Sequence, residues 1–361
     1  MSKILLACGG TGGHLAPGIA LAESLQSQNH ETLLMVSSKI VDQQMTAKYR
    51  GLNFVAGRGR GFGPGLINKI LFFPSLFGAI YSSLQLVRQF RPSVLICFGG
   101  FMSLGPAIAC KLSGIPILVH EANRRPGKAV RLIARFAQSI HLPYGVRIRN
   151  ITAERQHDSG FPVRQEITPT ARDIARQDLN FPSTGRLILV TGGSQGAQVL
   201  TRWVENNLEL FKQNNIHVLC LTGASGRAGE VNHPTSVIRY LSFCNQMASA
   251  YSAADIAITR SGAGTLAELA TCRTPVVLVP YPFAADDHQT ANALYAVEVG
   301  MAQMIAEKNI EKLNDAVFDL LNEPSKLQAM KDALARADAH NHWERILKEV
   351  LDLAKEGGAK K

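Results

Sequence analysis

Cysteine is scarce in this 361-residue chain. The six (Cys8, Cys97, Cys110, Cys220, Cys244 and Cys272) are scattered with no CxxC pair. Most sit in apolar segments, so reduced, buried thiols in a cytoplasmic protein are expected and a zinc site is not. No apolar run reaches the roughly 18 residues a spanning helix needs. The apolar start Ile4–Ala7 runs into a glycine loop without a cleavage-type site, so no signal peptide is expected. The dinucleotide fingerprint is missing: Leu15 stands where the third glycine after Gly10 and Gly12 should be, and no acidic residue follows the apolar run Thr32–Val36. No Walker Lys-Ser/Thr pair follows that loop, and no carboxylate-rich DxD motif accompanies the glycine loops, so no metal is expected. Acidic residues are rare in the first half: residues 1–162 hold 18 Lys+Arg against 6 Asp+Glu, the remainder 20 against 22. A basic half suits nucleic acid, anionic lipid, an anionic substrate, or simply solvent. With aromatics at 7% and no recognisable binding motif, nucleic acid is not expected.

What the chain does have is glycine at the ends of apolar runs. KILLACGGTGGH opens it, and RLILVTGGSQGA from Arg186 repeats the pattern of strand, glycine turn and helix. The length is that of two domains, and the repeated start predicts two similarly built α/β units. A third such turn lies in ADIAITRSGAGTLAELATC: strand Ile256–Ile258, the turn Ser261–Gly264, helix Thr265–Thr271. Backbone N–H groups at such helix starts, with their partial positive charge, suit a phosphate. Arg260 places a full charge beside one, and Glu268, further into that helix, suits two ribose hydroxyls. After the strand Pro275–Pro280 come Asp286, Asp287, His288, Gln289 and Asn292, which offer hydrogen bonds to a polyhydroxylated group. Ordinary α/β turns are the alternative at each place. Tyr240, Phe243, Cys244 and Met247 could form a flat apolar slot for a base ring.

In the first half, His14 stands at a helix entrance. The strand Ile115–Val119 ends in His120, Glu121 and Asn123, with Arg124, Arg125, Lys128, Arg131 and Arg135 after it. Strand C-termini are where open α/β sheets hold ligands. Between residues 66 and 91 the apolar residues include Leu71, Phe72, Phe73, Leu76 and Phe77, with Lys69, Arg88 and Arg91 among them. This predicts a helix that either lies on an anionic membrane surface or is buried as core.

GGTGGH at Gly9–His14, HEAN at His120–Asn123, GFPVR at Gly160–Arg164, GGSQGA at Gly192–Ala197, TRSGA at Thr259–Ala263 and PYPFAADDHQTANA at Pro280–Ala293 occur in this order. Together they resemble glycosyltransferase family 28, specifically its bacterial cell-wall members, which add N-acetylglucosamine (GlcNAc) from UDP-GlcNAc to undecaprenyl-diphosphate-linked MurNAc-pentapeptide (lipid I). The resemblance covers essentially the whole chain. It implies a GT-B fold: two Rossmann-like domains facing a cleft, with a C-terminal helix crossing back to the first domain. The acceptor and membrane-associating domain would span 1–162 plus about 341–361, and the UDP-GlcNAc domain 163–340. Protein at the cytoplasmic face of the inner membrane is implied, with cell-wall or division-complex proteins as further candidate partners.

The resemblance assigns diphosphate contacts to Ser194, Gln195 and the helix start Ala263, Gly264 and Thr265. Arg164 and Cys244 join the donor site, Arg260 lies near the nucleotide, Glu268 takes the ribose, and Gln289 and Asn292 take sugar hydroxyls. Thr11, Gly12, Gly13 and Asn123 resemble the part that meets the transferred sugar and acceptor. His14 is similar to the proposed general base, with Glu121 as rival base or positioning group. Thr259 departs from the usual Ser or Cys, and Phe283 stands where relatives often have His. The expected reaction is inverting: the acceptor C4 hydroxyl attacks the anomeric carbon while the helix starts at Gly193 and Gly262, with Arg260, stabilise the departing UDP in place of a metal. An imidazole at His14 suits proton removal at cytoplasmic pH. Alternatives are another GT-B transferase with a lipid acceptor, a UDP-sugar epimerase of the same fold, and a non-catalytic nucleotide-sugar-binding subunit.

Overall fold

Buried parallel strands must be apolar on both faces, and this chain builds two sheets of that kind. The computed structural model describes residues 1–9, 12–37, 46–57, 66–193, 195–223 and 237–359, with backbone only for 12, 66–73 and 357–359. It divides into two units, Met1–Arg164 with Asn341–Lys361, and Gln165–His340.

The first unit holds β1 (Lys3–Ala7), β2 (Glu31–Val36), β3 (Phe54–Ala56), β4 (Val94–Cys97), β5 (Ile117–His120), β6 (Ser139–Leu142) and β7 (Gln156–Asp158). Their order is β3-β2-β1-β4-β5-β6-β7, and every pairing is parallel. Alternation along the strands makes two cores. Leu5, Leu95, Ile117 and Val119 pack with the helices Leu66–Phe90, Leu104–Leu112 and Lys128–Ile133. Ile4, Leu6, Ile96 and Leu118 pack with the helices Gly12–Ser27 and Glu344–Ala359, the latter through Ile346, Val350 and Leu353. The returning chain is fastened by Asn341, whose Oδ1 accepts from Phe161 N at 2.7 Å and whose Nδ2 donates to Phe161 O at 3.1 Å. A Cβ on Gly160 would fall on Asn341 Oδ1, which explains the glycine of GFPVR. Gly105 brings its helix close against Ala79 of the Leu66–Phe90 helix, where an added Cβ would stand 3.0 Å from Ala79 Cβ.

The second unit holds β8 (Arg186–Thr191), β9 (Ile216–Leu221), β10 (Ile238–Leu241), β11 (Ile256–Thr259), β12 (Val276–Leu278) and β13 (Gln303–Met304), ordered β10-β9-β8-β11-β12-β13, all parallel. Both sheets reverse strand order once, between β1 and β4 and between β8 and β11. These reversals are where open α/β sheets form ligand crevices. The glycine loops expected from the sequence follow these four strands. Among the described residues no helix is long and apolar enough to cross a membrane.

Candidate active site

In the second unit, the loop after β8 is tight because its glycines, with Gly223 after β9, let the backbone close in on itself. Cβ atoms on Gly192 and Gly223 would fall on the Ala197 and Gly196 amides, and Gly193, Gly196 and Gly223 all have positive φ (75°, 77° and 69°). Gly196 N donates to Gly193 O at 3.0 Å, and Gly193 N to Thr191 Oγ1 at 3.2 Å. The loop ends at Ala197, the N-cap of the helix Gln198–Asn206. After β11, Gly262 caps the helix Ala263–Cys272 in extended conformation, and Ala263, Gly264 and Thr265 are half-buried at its start. Its N–H groups are available to an anion.

Glu268 is buried in that helix, and Tyr251 Oη donates to its Oε2 at 3.0 Å, which sets the carboxylate's direction. Asn292 Nδ2 donates to Ser261 O at 3.0 Å, Ser261 Oγ donates to Gln289 O at 2.7 Å, and Gln289 Oε1 accepts from Tyr281 N at 2.9 Å. Asn292 and Gln289, expected to meet sugar hydroxyls, thus also fasten the helix start to the helix His288–Glu298. Asp286 and Asp287 in the preceding turn both have positive φ, 51° and 53°. This strained backbone is of a kind that clusters at functional loops.

Arg260, expected to place a full charge beside this turn and to help neutralise the leaving group, is engaged within the protein. Its Nη1 lies 2.6 Å from Glu307 Oε2, donates to Val279 O at 3.0 Å and Pro280 O at 3.3 Å, and its guanidinium sits 5.3 Å over the Tyr281 ring. Cys244 belongs to the expected base slot. It is buried in the core of the second unit, with Tyr240 and Met247 packed against that core and Phe243 turned outward.

In the first unit, β1 and β4 bring Gly9 and the Gly12–Ser27 helix beside Gly99 and Gly100. Ser103 Oγ ties them, donating to Gly99 O at 2.6 Å and reaching Ala7 O at 3.3 Å. Gly100 (φ 73°) has Gly9 O 2.5 Å from where a Cβ would stand, and His14 Nε2 lies 3.4 Å from the corresponding point on Gly99. His14, two residues behind Gly12 in the helix, is half-buried against these glycines. Glu121 is buried: Oε1 accepts from Asn123 N at 2.9 Å and Asn123 Nδ2 at 3.0 Å, and Oε2 from Gly127 N at 2.9 Å. It organises the turn between β5 and the helix Lys128–Ile133, whose Lys128 and Arg131 are exposed, as is Arg135 just past the helix.

His120 does not face that crevice. It is buried between the rings of Phe98 and Phe161 and bonds Gly160 O at 3.2 Å through Nε2. Burial pushes its pKa down to about 4, the Gly160 bond works the other way, and nearby His14 adds to the lowering. Arg164 belongs to this unit, two residues past the expected boundary, and donates to Tyr49 Oη at 3.2 Å. Of the expected membrane residues, Leu76 packs against the core while Phe77 is 70% exposed, with Tyr81 at 64% beyond it. The side chains of Leu71, Phe72 and Phe73, and Thr11 and Ser194, lie outside the described residues. Tyr251, Tyr49 and Glu307 were not expected at all. Among the described residues no group of three His, Cys, Asp or Glu is placed to hold a metal ion.

Two Rossmann-like units with glycine-mouthed helix starts at both strand-order reversals define a GT-B glycosyltransferase fold, and the comparisons give the family. The model for the glycosyltransferase family 28 N-terminal domain matches residues 4–142, and that for its C-terminal domain residues 187–346. The chain belongs to glycosyltransferase family 28. It is 38% identical, over 99% of its length and 97% of the relative's, to the UDP-N-acetylglucosamine–N-acetylmuramyl-(pentapeptide) pyrophosphoryl-undecaprenol N-acetylglucosamine transferase of Opitutus terrae. The protein of that name from Crocosphaera subtropica is 32% identical over 98% of this chain and 99% of its own. In fold the chain is similar to the crystal structure of Acinetobacter baumannii MurG (TM-score 0.70, 24% identity, 98% and 100% covered). It is also similar to the calicheamicin glycosyltransferase CalG4 (TM-score 0.69, 14% identity, 98% of each).

Proposed function

We propose that this protein transfers GlcNAc from UDP-GlcNAc to the MurNAc C4 hydroxyl of undecaprenyl-diphosphate-linked MurNAc-pentapeptide, with inversion. The observation that carries the reading is the 38% identity to a transferase of that name along 99% of the chain, so that both units are matched. The second unit takes the donor. N–H groups at the turns after β8 and β11 meet the diphosphate, and Glu268, held by Tyr251, meets the ribose. As the glycosidic bond breaks, negative charge grows on UDP, and fixed N–H dipoles stabilise it without reorganising. On this reading the chemistry needs no metal, and turnover persists in a chelator.

The first unit takes the acceptor. His14, beside Gly99 and Gly100, removes the C4 hydroxyl proton. Glu121, with both oxygens already accepting N–H bonds, positions Asn123 and the basic turn. The exposed Phe77 and Tyr81 and the basic residues after β5 dock the unit on the anionic inner leaflet from the cytoplasmic side, where the lipid acceptor resides. The test is incubation of radiolabelled UDP-GlcNAc with a lipid I analogue. Labelled disaccharide lipid and stoichiometric UDP are expected. Label on diacylglycerol instead, or epimerised sugar with no transfer, overturns the assignment.

A further inference from the structure

Three segments converge on the residue before the β11 turn. Arg260 is nearly buried, with its side chain 10% exposed, and its guanidinium pairs at 2.6 Å with Glu307, itself 26% exposed. Glu307 begins the short segment Glu307–Lys312 after β13, on the far side of β12 from the glycine loops. The same Nη1 holds Val279 O and Pro280 O, which pins the exit of β12. The Tyr281 ring lies against the guanidinium, and Tyr281 N is bonded to Gln289. Arg260 leads directly into Ser261, which is fully buried and bonded to both Gln289 and Asn292, and then into Gly262, the helix cap.

A guanidinium out of water needs a counter-charge, and removing one member of such a pair leaves an uncompensated buried charge. Glu307 supplies that charge here. The positive charge of Arg260 is therefore already answered inside the protein, and what the site presents to an anion is the N–H groups of the Gly262 turn.

We infer that Glu307 is a positioning residue of the donor half-site. It holds Arg260, and through Arg260 the Ser261–Gly262 backbone, in the orientation that receives the diphosphate. The inference rests on the donor reading above. Loss of Glu307 frees the guanidinium to turn toward solvent, releases the β12 exit, and lets the helix start tilt.

The experiment measures UDP affinity by calorimetry, donor and acceptor KM, and Tm for Glu307→Gln, Glu307→Ala, Arg260→Met and the double variant Arg260→Met/Glu307→Ala. Glu307→Ala is expected to weaken UDP and raise donor KM about tenfold with acceptor KM unchanged. Glu307→Gln, which keeps the side chain's shape without its charge, is expected to weaken UDP much as Glu307→Ala does, because the contact is ionic, and it guards against a variant that fails to fold. The double variant is expected to bind UDP no more weakly than Arg260→Met alone, since both residues act through one contact. Unchanged UDP affinity in Glu307→Ala with only a lower Tm overturns the inference and leaves a plain brace. Additive losses overturn it too, as does tighter UDP binding, which would make Glu307 a competitor of the diphosphate. Wild-type protein that binds no UDP overturns the donor reading and this inference with it.

Discussion

His120 and His141 stand opposite one another in the parallel register of β5 and β6, and burial holds both neutral. His141 is pushed down to about 3 by burial, with His120 and His157 adding to the lowering, and His120 to about 4. His157 is the next rung, with rings 5.4 Å apart, and its Nε2 lies 3.8 Å from Glu349 Oε1 in the C-terminal helix. Both folded pKa values lie below the ordinary 6.5, so the unfolded chain binds more protons between the two. The contribution is whole above about 6.5 and is lost as pH falls through that value toward 4 and 3. The loss is roughly 3 kcal/mol or more for each histidine. Unfolding of the first unit should therefore steepen with acid, and His141→Gln should flatten the slope. The chain's two tryptophans make this measurable, because Trp343 packs in the first unit and Trp203 in the second. In Trp203→Phe protein, urea midpoints followed by fluorescence between pH 7 and 4 report the first unit alone. A midpoint independent of pH would refute the assignment.

The second unit has its own buried ionic knot. Arg176, 1% exposed, donates to Asp255 Oδ2 at 2.9 Å and to the carbonyls of Pro182, Ser183, Thr184 and Gly185, and Asp255 Oδ2 also accepts Leu187 N at 2.7 Å. Asp255→Ala strands the guanidinium, and about 3–5 kcal/mol of stability should go with it. In Trp343→Phe protein the Trp203 transition should move to lower urea, while Trp343 in Trp203→Phe protein should not respond. Equal shifts in both would mean that the units do not unfold separately.

β1, β4, β5, β8 and β11 were legible because a parallel strand buried on both faces has to be an apolar run, and glycine marks where β1, β4, β8 and β11 stop while His120-Glu121 marks the end of β5. β6 (SIHL), β7 (QHD) and β13 (QM) carry too little apolar signal to be read, being short, polar or at a sheet edge. At the site, Glu268 and the helix starts could be located from glycine spacing alone. Their partners could not. Tyr251 reaches Glu268 from another helix and Glu307 reaches Arg260 from beyond β13, so only the fold creates those pairs. Leu76 and Phe77 are adjacent in sequence and equally apolar, yet helical rotation sends one into the core and the other outward.

That divergence yields a membrane test. Phe77→Ser with Tyr81→Ser should cut flotation with anionic vesicles several-fold while leaving Tm within about 2 °C, since exposed side chains contribute little to folding. Leu76→Ser should lower Tm instead, as a buried apolar contact is lost. Undiminished flotation of the double variant would move the membrane contact elsewhere.

Gly223 tests the β8 loop. At φ 69° a side chain is strained, and its Cβ would fall on the Gly196 amide. Gly223→Ala must push the Gly192–Ala197 turn away from β9. The expected result is a loss of UDP affinity of about tenfold or more, with the circular dichroism of the native sheet retained. Normal UDP binding would remove this turn from the donor site.

The proton acceptor is the remaining choice, and the hydrogen bonds weigh on it. Both oxygens of Glu121 accept N–H groups of its own turn, so a proton arriving there would set an O–H beside donors and loosen Asn123 and Gly127. His14 stands against the glycines that close the β4 loop. His14→Ala should lower kcat by about a hundredfold or more, leave UDP affinity unchanged, and abolish the acid limb of the pH–rate profile. Glu121→Gln presents an amide N–H to one of those donors, so it should cost roughly 2 kcal/mol of stability and raise acceptor KM, yet keep the acid limb. The limb is the deciding readout, because a residue that only holds the turn alters how well the acceptor sits without altering which group must be deprotonated. Should the limb vanish in Glu121→Gln and survive in His14→Ala, the two roles are reversed.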